Sequence, residues 1–172
     1  DFPFTDGNNK PDRSKGLFTI ISSVKDSFIE YGSGWPEIEA FDFNIEVNSN
    51  YVKFIGLNGH IQDNRIKNIE AVIDSFNVKS PLISVNTILD APANKLINAI
   101  NNSPIKDSMK GVTKNMIGHG PGELNISLVI PMDDVDNIKF TGAYDFQGSK
   151  IENQKIGIPK IENIYGILEF DN

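Results

Sequence analysis

The sequence has no cysteine, which excludes disulfides, thiol nucleophiles and thiolate zinc sites from its 172 residues. Histidine is nearly absent too. His60 and His119 each stand beside glycine in a loop-like context. Asp63 follows His60, but no nucleophile-elbow serine accompanies them, so a triad or metal centre is not expected. Long apolar runs are missing, and nothing approaches the roughly 18–20 residues that a membrane-spanning helix needs. Positive charge is short: 16 Lys and Arg against 23 Asp and Glu give a net charge of −7 and a pI near 4.8. That balance argues against nucleic acid as a partner, because phosphate binding needs clustered cations. It also argues against docking on anionic lipid by charge alone. The opening residues Asp1-Phe2-Pro3-Phe4 lack a methionine and a basic n-region, so no signal peptide is expected among these residues. Any export signal or anchor of a parent protein is expected elsewhere.

What the sequence does have is alternation. Hydrophobic residues make up 39% and charged residues 23%, enough for a folded core. Residues 1–16 are rich in Pro, Gly, Asn and charge and read as a loop. Beyond them Phe41, Phe43, Ile45 and Val47 alternate with polar residues, as do Ile69, Ala71 and Ile73. Leu124, Ile126, Leu128 and Ile130 form another such face, and Ile138, Phe140, Gly142, Tyr144 and Phe146 a further one. Ile164, Gly166, Leu168 and Phe170 make the last. Period two means strands with two distinct faces. Weaker strands are expected over 17–24, 52–57 and 82–89. Pro131 with Asp133, Asp134 and Asp136 reads as one hairpin turn, and Gly148-Ser149 as the next.

One helix is expected between Asp90, as N-cap, and Pro104, as stop, with Pro92 in its first turn. Ala93, Leu96, Ile97 and Ile100 share a face at helical spacing. The fold class is therefore mainly β, an antiparallel sheet with one short helix. Three motifs invite chemistry and each has a plainer reading. Asp133, Asp134 and Asp136 lack the glycine and terminal glutamate of a calcium loop and read as a solvated turn. Gly118-His119-Gly120-Pro121-Gly122 precedes a strand rather than a helix, so it reads as a connector and not a phosphate cradle. Trp35 before Pro36 reads as packing over a strand end.

An internal repeat carries more information than these motifs. Trp35-Pro36-Glu37-Ile38-Glu39 aligns with Ile158-Pro159-Lys160-Ile161-Glu162. Without a gap, Phe41, Phe43, Ile45 and Val47 then fall on Ile164, Gly166, Leu168 and Phe170, and upstream 28–34 falls on 151–157. A first repeat over about 17–137 and the start of a second over about 138–172 are expected, as in a longer array.

Those segments also carry a resemblance. Ser33-Gly34-Trp35-Pro36-Glu37-Ile38-Glu39 resembles a segment of YhdP-like members of the AsmA-like family. Ala91-Pro92-Ala93-Asn94-Lys95-Leu96 through Asn102-Ser103-Pro104-Ile105 is similar to their short helix. Gly120 through Pro131 is similar to the strand that follows it, and Ile158-Pro159 through Phe170 to the closing strand pair. The resemblance runs in the family's order from about Leu17 to Phe170. The chain departs from the usual pattern in being rich in Asn and Ile.

The resemblance implies a segment of a very large envelope protein of Gram-negative bacteria. Such a protein is held in the inner membrane by a helix outside these residues. Its periplasmic body is a long, curved, repeating antiparallel β-sheet with an apolar groove, linked to phospholipid transfer between inner and outer membranes and to outer-membrane integrity. The family offers no catalytic residues to carry over, so no enzyme activity, cofactor or metal is expected. Expected partners are phospholipid acyl chains, the rest of the parent chain and other envelope proteins. On periodicity alone, the alternating faces read as the core of a sandwich. The resemblance implies instead that Phe41, Phe43, Ile45, Val47, Leu124, Ile126, Leu128, Ile130, Phe140, Tyr144, Phe146, Ile164 and Leu168 line a lipid groove. The alternative is a scaffold that binds another envelope protein through its sheet edges.

Overall fold

In the computed structural model of the protein the described residues are 18–31, 34–48, 50–75, 78–103, 105–108, 111–134, 137–153, 155 and 157–171. The alternating segments form β1 (Thr19–Ile29), β2 (Ile38–Asn48), β3 (Tyr51–Ile61), β4 (Asn64–Asp74) and β5 (Leu82–Asp90). Then come α1 (Ala93–Asn101), α2 (Ile105–Ser108), β6 (Ile117–His119), β7 (Gly122–Pro131), β8 (Lys139–Asn153) and β9 (Ile158–Asp171). All nine strands belong to one antiparallel sheet, with β1 at one edge and β9 at the other. Hairpins link β1 through β5, and β5 then pairs with β7 across the helical excursion. Both β6 and β7 pair with β8, at His119↔Lys150 and Gly122↔Phe146, so they share one lane and the nine strands fill eight.

The expected mainly β, antiparallel class is the observed one, with two short helices rather than one. α1 begins after Pro92, and no side chain caps it. Asp90, the expected cap, is still in β5 and faces Arg65 across the ladder, where the guanidinium hydrogen bond lowers its pKa. Gly148-Ser149 is not a hairpin turn either. It lies inside β8, where Gly148 has φ +89 and the register with β9 slips, so the strand bulges and continues. The expected 118–122 connector is largely strand. Ser33, Pro104 and Asp136 lie outside the described residues.

Cross-strand partners share a face, so the register defines the rows of the sheet. One row runs Val24, Phe43, Gly56, Ile69, Thr87, Ile126, Gly142, Phe170 across all eight lanes. The next runs Ser22, Ile45, Phe54, Ala71, Val85, Leu128, Phe140. A third, nearer the β2–β3 turn, runs Ile20, Val47, Val52, Ile73, Ile83, Ile130. Rows of the opposite face alternate with these and are mostly polar, as in Ser23, Asn44, Ile55, Glu70, Asn86, Ser127, Thr141. Gly56 and Gly142 leave room in the apolar row for the rings of Phe41 and Phe170, which a Cβ would meet at 2.6 and 2.5 Å.

The repeat is a repeat of hairpin geometry. Ile20↔Val47, Ser22↔Ile45, Val24↔Phe43, Ser27↔Phe41 and Ile29↔Ile38 pair in β1–β2. Gly142↔Phe170, Tyr144↔Leu168, Phe146↔Gly166, Ser149↔Ile164 and Ile151↔Ile161 pair in β8–β9. First-strand numbers differ by 122 and second-strand numbers by 123 at every pair, so β8–β9 has one extra residue in its connector. The gapless alignment upstream of Gly34 is therefore off by one. Left-handed residues repeat as well: Gly34 at φ 79 with Gly157 at φ 75, and Ala40 at φ 47 with Asn163 at φ 56.

Candidate functional site

The residues singled out by periodicity share the apolar face. Phe41, Phe43, Leu124, Ile126, Phe140 and Tyr144 are buried on it. Ile45, Val47, Leu128, Ile130, Phe146 and Ile164 are half-buried, and Leu168, on the edge strand, is exposed. Phe41 stacks on Phe43 at 5.0 Å, Phe43 meets Phe54 at 5.9 Å, and Tyr144 meets Phe146 edge-on at 4.7 Å.

The helices lie against this face at one end of the strands. Leu96 of α1 and Ile105 of α2 pack against the sheet's buried cluster. Between helices and sheet lies a cavity whose empty space, counted out to its open mouth, is about 1250 Å3. Its walls include Tyr31, Trp35 and Ile61 from the β1–β3 side and Phe146, Leu168 and Phe170 from the β8–β9 side. In a flat sheet the first and last lanes stand roughly 34 Å apart, at about 4.8 Å per lane. One cavity walled from both sides is what a sheet curled round it provides. The curled sheet stays open, because β1 and β9 do not pair.

The cavity is almost wholly apolar, and four of its five hydroxyls donate to protein groups, that of Tyr31 being the fifth. Thr87 Oγ1 donates to the Asn68 carbonyl at 2.8 Å, Ser103 Oγ to that of Ile100 at 3.0 Å, and Thr113 Oγ1 to Asn101 Oδ1 at 2.8 Å. The Tyr144 hydroxyl donates to the Ala91 carbonyl at 2.8 Å, and burial pushes its pKa up to about 12. Tyr31 is 43% exposed overall, yet the apolar surroundings of its phenol push that pKa up to about 12 as well. Both phenols are neutral at ordinary pH.

Charge sits on the other face. Lys67 pairs with Glu123 at 2.6 Å and with Asp90 at 3.6 Å, and Lys53 pairs with Glu70 at 2.8 Å. Hydrogen bonds to Glu123 and Glu70 raise the two lysine pKa values. His60 and His119 are exposed on β3 and β6. Among the described residues no group of three or more His, Asp or Glu converges as a metal site would require. No described helix is long and apolar enough to cross a membrane.

Some cavity residues escaped the periodicity. Thr87 and Leu89 belong to β5, whose alternation is interrupted by Ile88. Tyr31 and Met116 lie outside regular elements, where period two gives no signal. Trp35 lies 6.0 Å from Tyr31, ring to ring, and helps wall the cavity.

No curated protein and no solved structure is similar enough to this chain to count as a match. One family model, described as YhdP protein, matches residues 1–172. An open, curled antiparallel sheet with an apolar inner face and that match over its whole length mean that the chain belongs to the YhdP family.

Proposed function

We propose that the chain is a non-enzymatic segment of a lipid-transport protein of the bacterial envelope. In this reading its apolar inner face carries phospholipid acyl chains between inner and outer membranes and so supports outer-membrane integrity. The parent protein lies in the periplasm, anchored in the inner membrane through a helix outside these residues. The observation that carries the reading is a cavity with almost wholly apolar walls, in which the hydroxyls of Thr87, Ser103, Thr113 and Tyr144 already donate to protein groups. Membership of the YhdP family fits it. An acyl chain needs nothing more, since each methylene buried contributes about 0.8 kcal/mol without any polar contact.

The test is to purify the chain from bacteria, extract it with organic solvent and identify lipids by mass spectrometry. Co-purifying phospholipid is expected. Leu128→Asp puts a carboxylate on the inner face and is expected to cut recovered lipid at least about tenfold, since burying an unpaired charge is costly. Val129→Asp, one residue along on the outer face, is the control that keeps lipid. Equal recovery from both variants, at equal strand content by circular dichroism, refutes the reading. A scaffold reading rests on a different observation: β1 and β9 are open edges bearing exposed Ile21, Tyr165 and Ile167. It predicts lipid-free protein that joins other envelope proteins through these edges.

A further inference from the structure

The helical excursion between β5 and β6 is fastened unequally. On the β6–β8 side the bonds are many. Ala91 N donates to the Gly122 carbonyl at 2.9 Å and Ala93 N to the Gly120 carbonyl at 3.1 Å. Gly118 abuts α1 so closely that a Cβ there would come within 2.9 Å of the Ala93 Cβ. The returning chain is held by Asn153 Nδ2 on the Lys114 carbonyl at 3.1 Å and by the β6–β8 ladder. On the β1–β4 side, among the described residues, the polar link is one bond: Lys95 Nζ donates to the Asp63 carbonyl at 3.0 Å.

Packing is unequal in the same sense. α1 presents Leu96, Ile97 and Ile100 to the cavity, yet Ala93 is its buried residue. A helix seated directly on a sheet would bury that whole stripe. Here Leu96 reaches the sheet's buried cluster and Ile97 lies against Gly118 of β6, but Leu96, Ile97 and Ile100 are all only half-buried, with the cavity beside them. The helix has only nine residues, too few to be stable without neighbours, so its position depends on these attachments.

The geometry points to α1–α2 as a lid over a subsite for a single hydrocarbon chain, hinged at β6–β8 and latched by Lys95 on the β3–β4 turn. The inference rests on the lipid reading and adds to it a place where a chain is clamped and a residue that controls its release. The occupant is a hydrocarbon chain rather than a peptide. An extended peptide brings backbone donors and acceptors that must find partners, and Thr87, Ser103, Thr113 and Tyr144 already donate their hydroxyl protons to protein groups.

Hydrogen exchange followed by mass spectrometry tests the lid without ligand. Amides of α1 and α2 are expected to exchange faster than those of β5 and β7, through local opening. Lys95→Met removes the latch donor and is expected to speed helix exchange about fivefold, as loss of a hydrogen bond worth about 1 kcal/mol implies, with β5 and β7 unchanged. Exchange of the helices together with β5 and β7, or no response to Lys95→Met, overturns the lid whatever the ligand.

Uptake of cis-parinaric acid, read by its fluorescence in an apolar site, tests the subsite. Because the chain has no cysteine, Lys95→Cys with Asp63→Cys can be joined selectively by a short reducible bis-maleimide. Uptake is expected to fall at least about tenfold when the link is made and to return on reduction, with bound probe slowing helix exchange in the wild type. Uptake indifferent to the link overturns the lid and leaves the lipid reading standing. Helices that open while no variant takes up the probe overturn the hydrocarbon subsite, and the lipid reading with it.

Discussion

Two hairpins of this molecule, β1–β2 and β8–β9, have the same register, the same left-handed glycine before the second strand and the same left-handed residue within it. Their surroundings differ. β2 is covered on its far edge by β3, whereas β9 is an edge. Ile38 keeps 7% of its surface and its counterpart Ile161 47%. Phe41 keeps 3%, while Ile164 in the matching place is half-buried. Backbone geometry in a hairpin is thus a local property, set by alternation, bulges and glycine. Burial is a property of the next strand. The same pattern yields a core position in one copy and an exposed one in the other.

The largest effect that separates the copies is expected at Phe41. Its ring lies over Gly56 and Gly59 and stacks on Phe43, so Phe41→Ala should cost about 3–5 kcal/mol in urea denaturation. Ile164→Ala should cost about 1 kcal/mol, because much of that side chain's transfer from water is incomplete. Similar costs would mean that β9 is covered as β2 is.

A smaller difference concerns Tyr144, whose counterpart in the first hairpin is the exposed Ser22. Tyr144→Phe removes the hydrogen bond to Ala91 and should cost about 1 kcal/mol at neutral pH. The phenol's pKa is raised from 10 to about 12, chiefly by desolvation. Folding therefore favours the protonated form, and the stabilisation is present below pH 10 and lost as pH rises towards 12. Chemical denaturation across that window should fall more steeply for the wild type than for Tyr144→Phe. Parallel curves would assign the alkaline loss to other groups, Tyr31 among them.

The smallest expected difference is none. Gly34 and Gly157 both have φ near +77 and open space where a Cβ would go, at 79 and 75°. Gly34→Ala and Gly157→Ala should each cost about 1 kcal/mol, from backbone conformation alone. A gap between them well beyond that amount would break the equivalence of the hairpins.

Much of the fold was legible in the sequence because period two maps directly onto a pleated sheet. Phe41 to Val47, Leu124 to Ile130 and Phe140 to Phe146 each declared an apolar face, and antiparallel pairing aligns such faces automatically. The errors have local causes. Asp90 is a good cap by type, but an arginine across the ladder engages it. Gly148 reads as a turn, but a glycine at positive φ also makes a bulge, and the apolar residues of β8 continue past it. The one-residue offset upstream of Gly34 is invisible in sequence, because a connector residue added between strands leaves both alternations intact.

By itself, then, the sequence determined which residues face the same way, where the short helix would form, and that one hairpin would be built twice. Those are consequences of neighbours along the chain or one strand away. Only the tertiary structure decided that the sheet curls and stays open, that α1 fills the space beside it only in part and leaves a cavity, and that β2 is buried while β9 is not. Each depends on contacts between residues far apart in the chain, such as Lys95 with Asp63 and Tyr144 with Ala91, whose partners no pattern of alternation names.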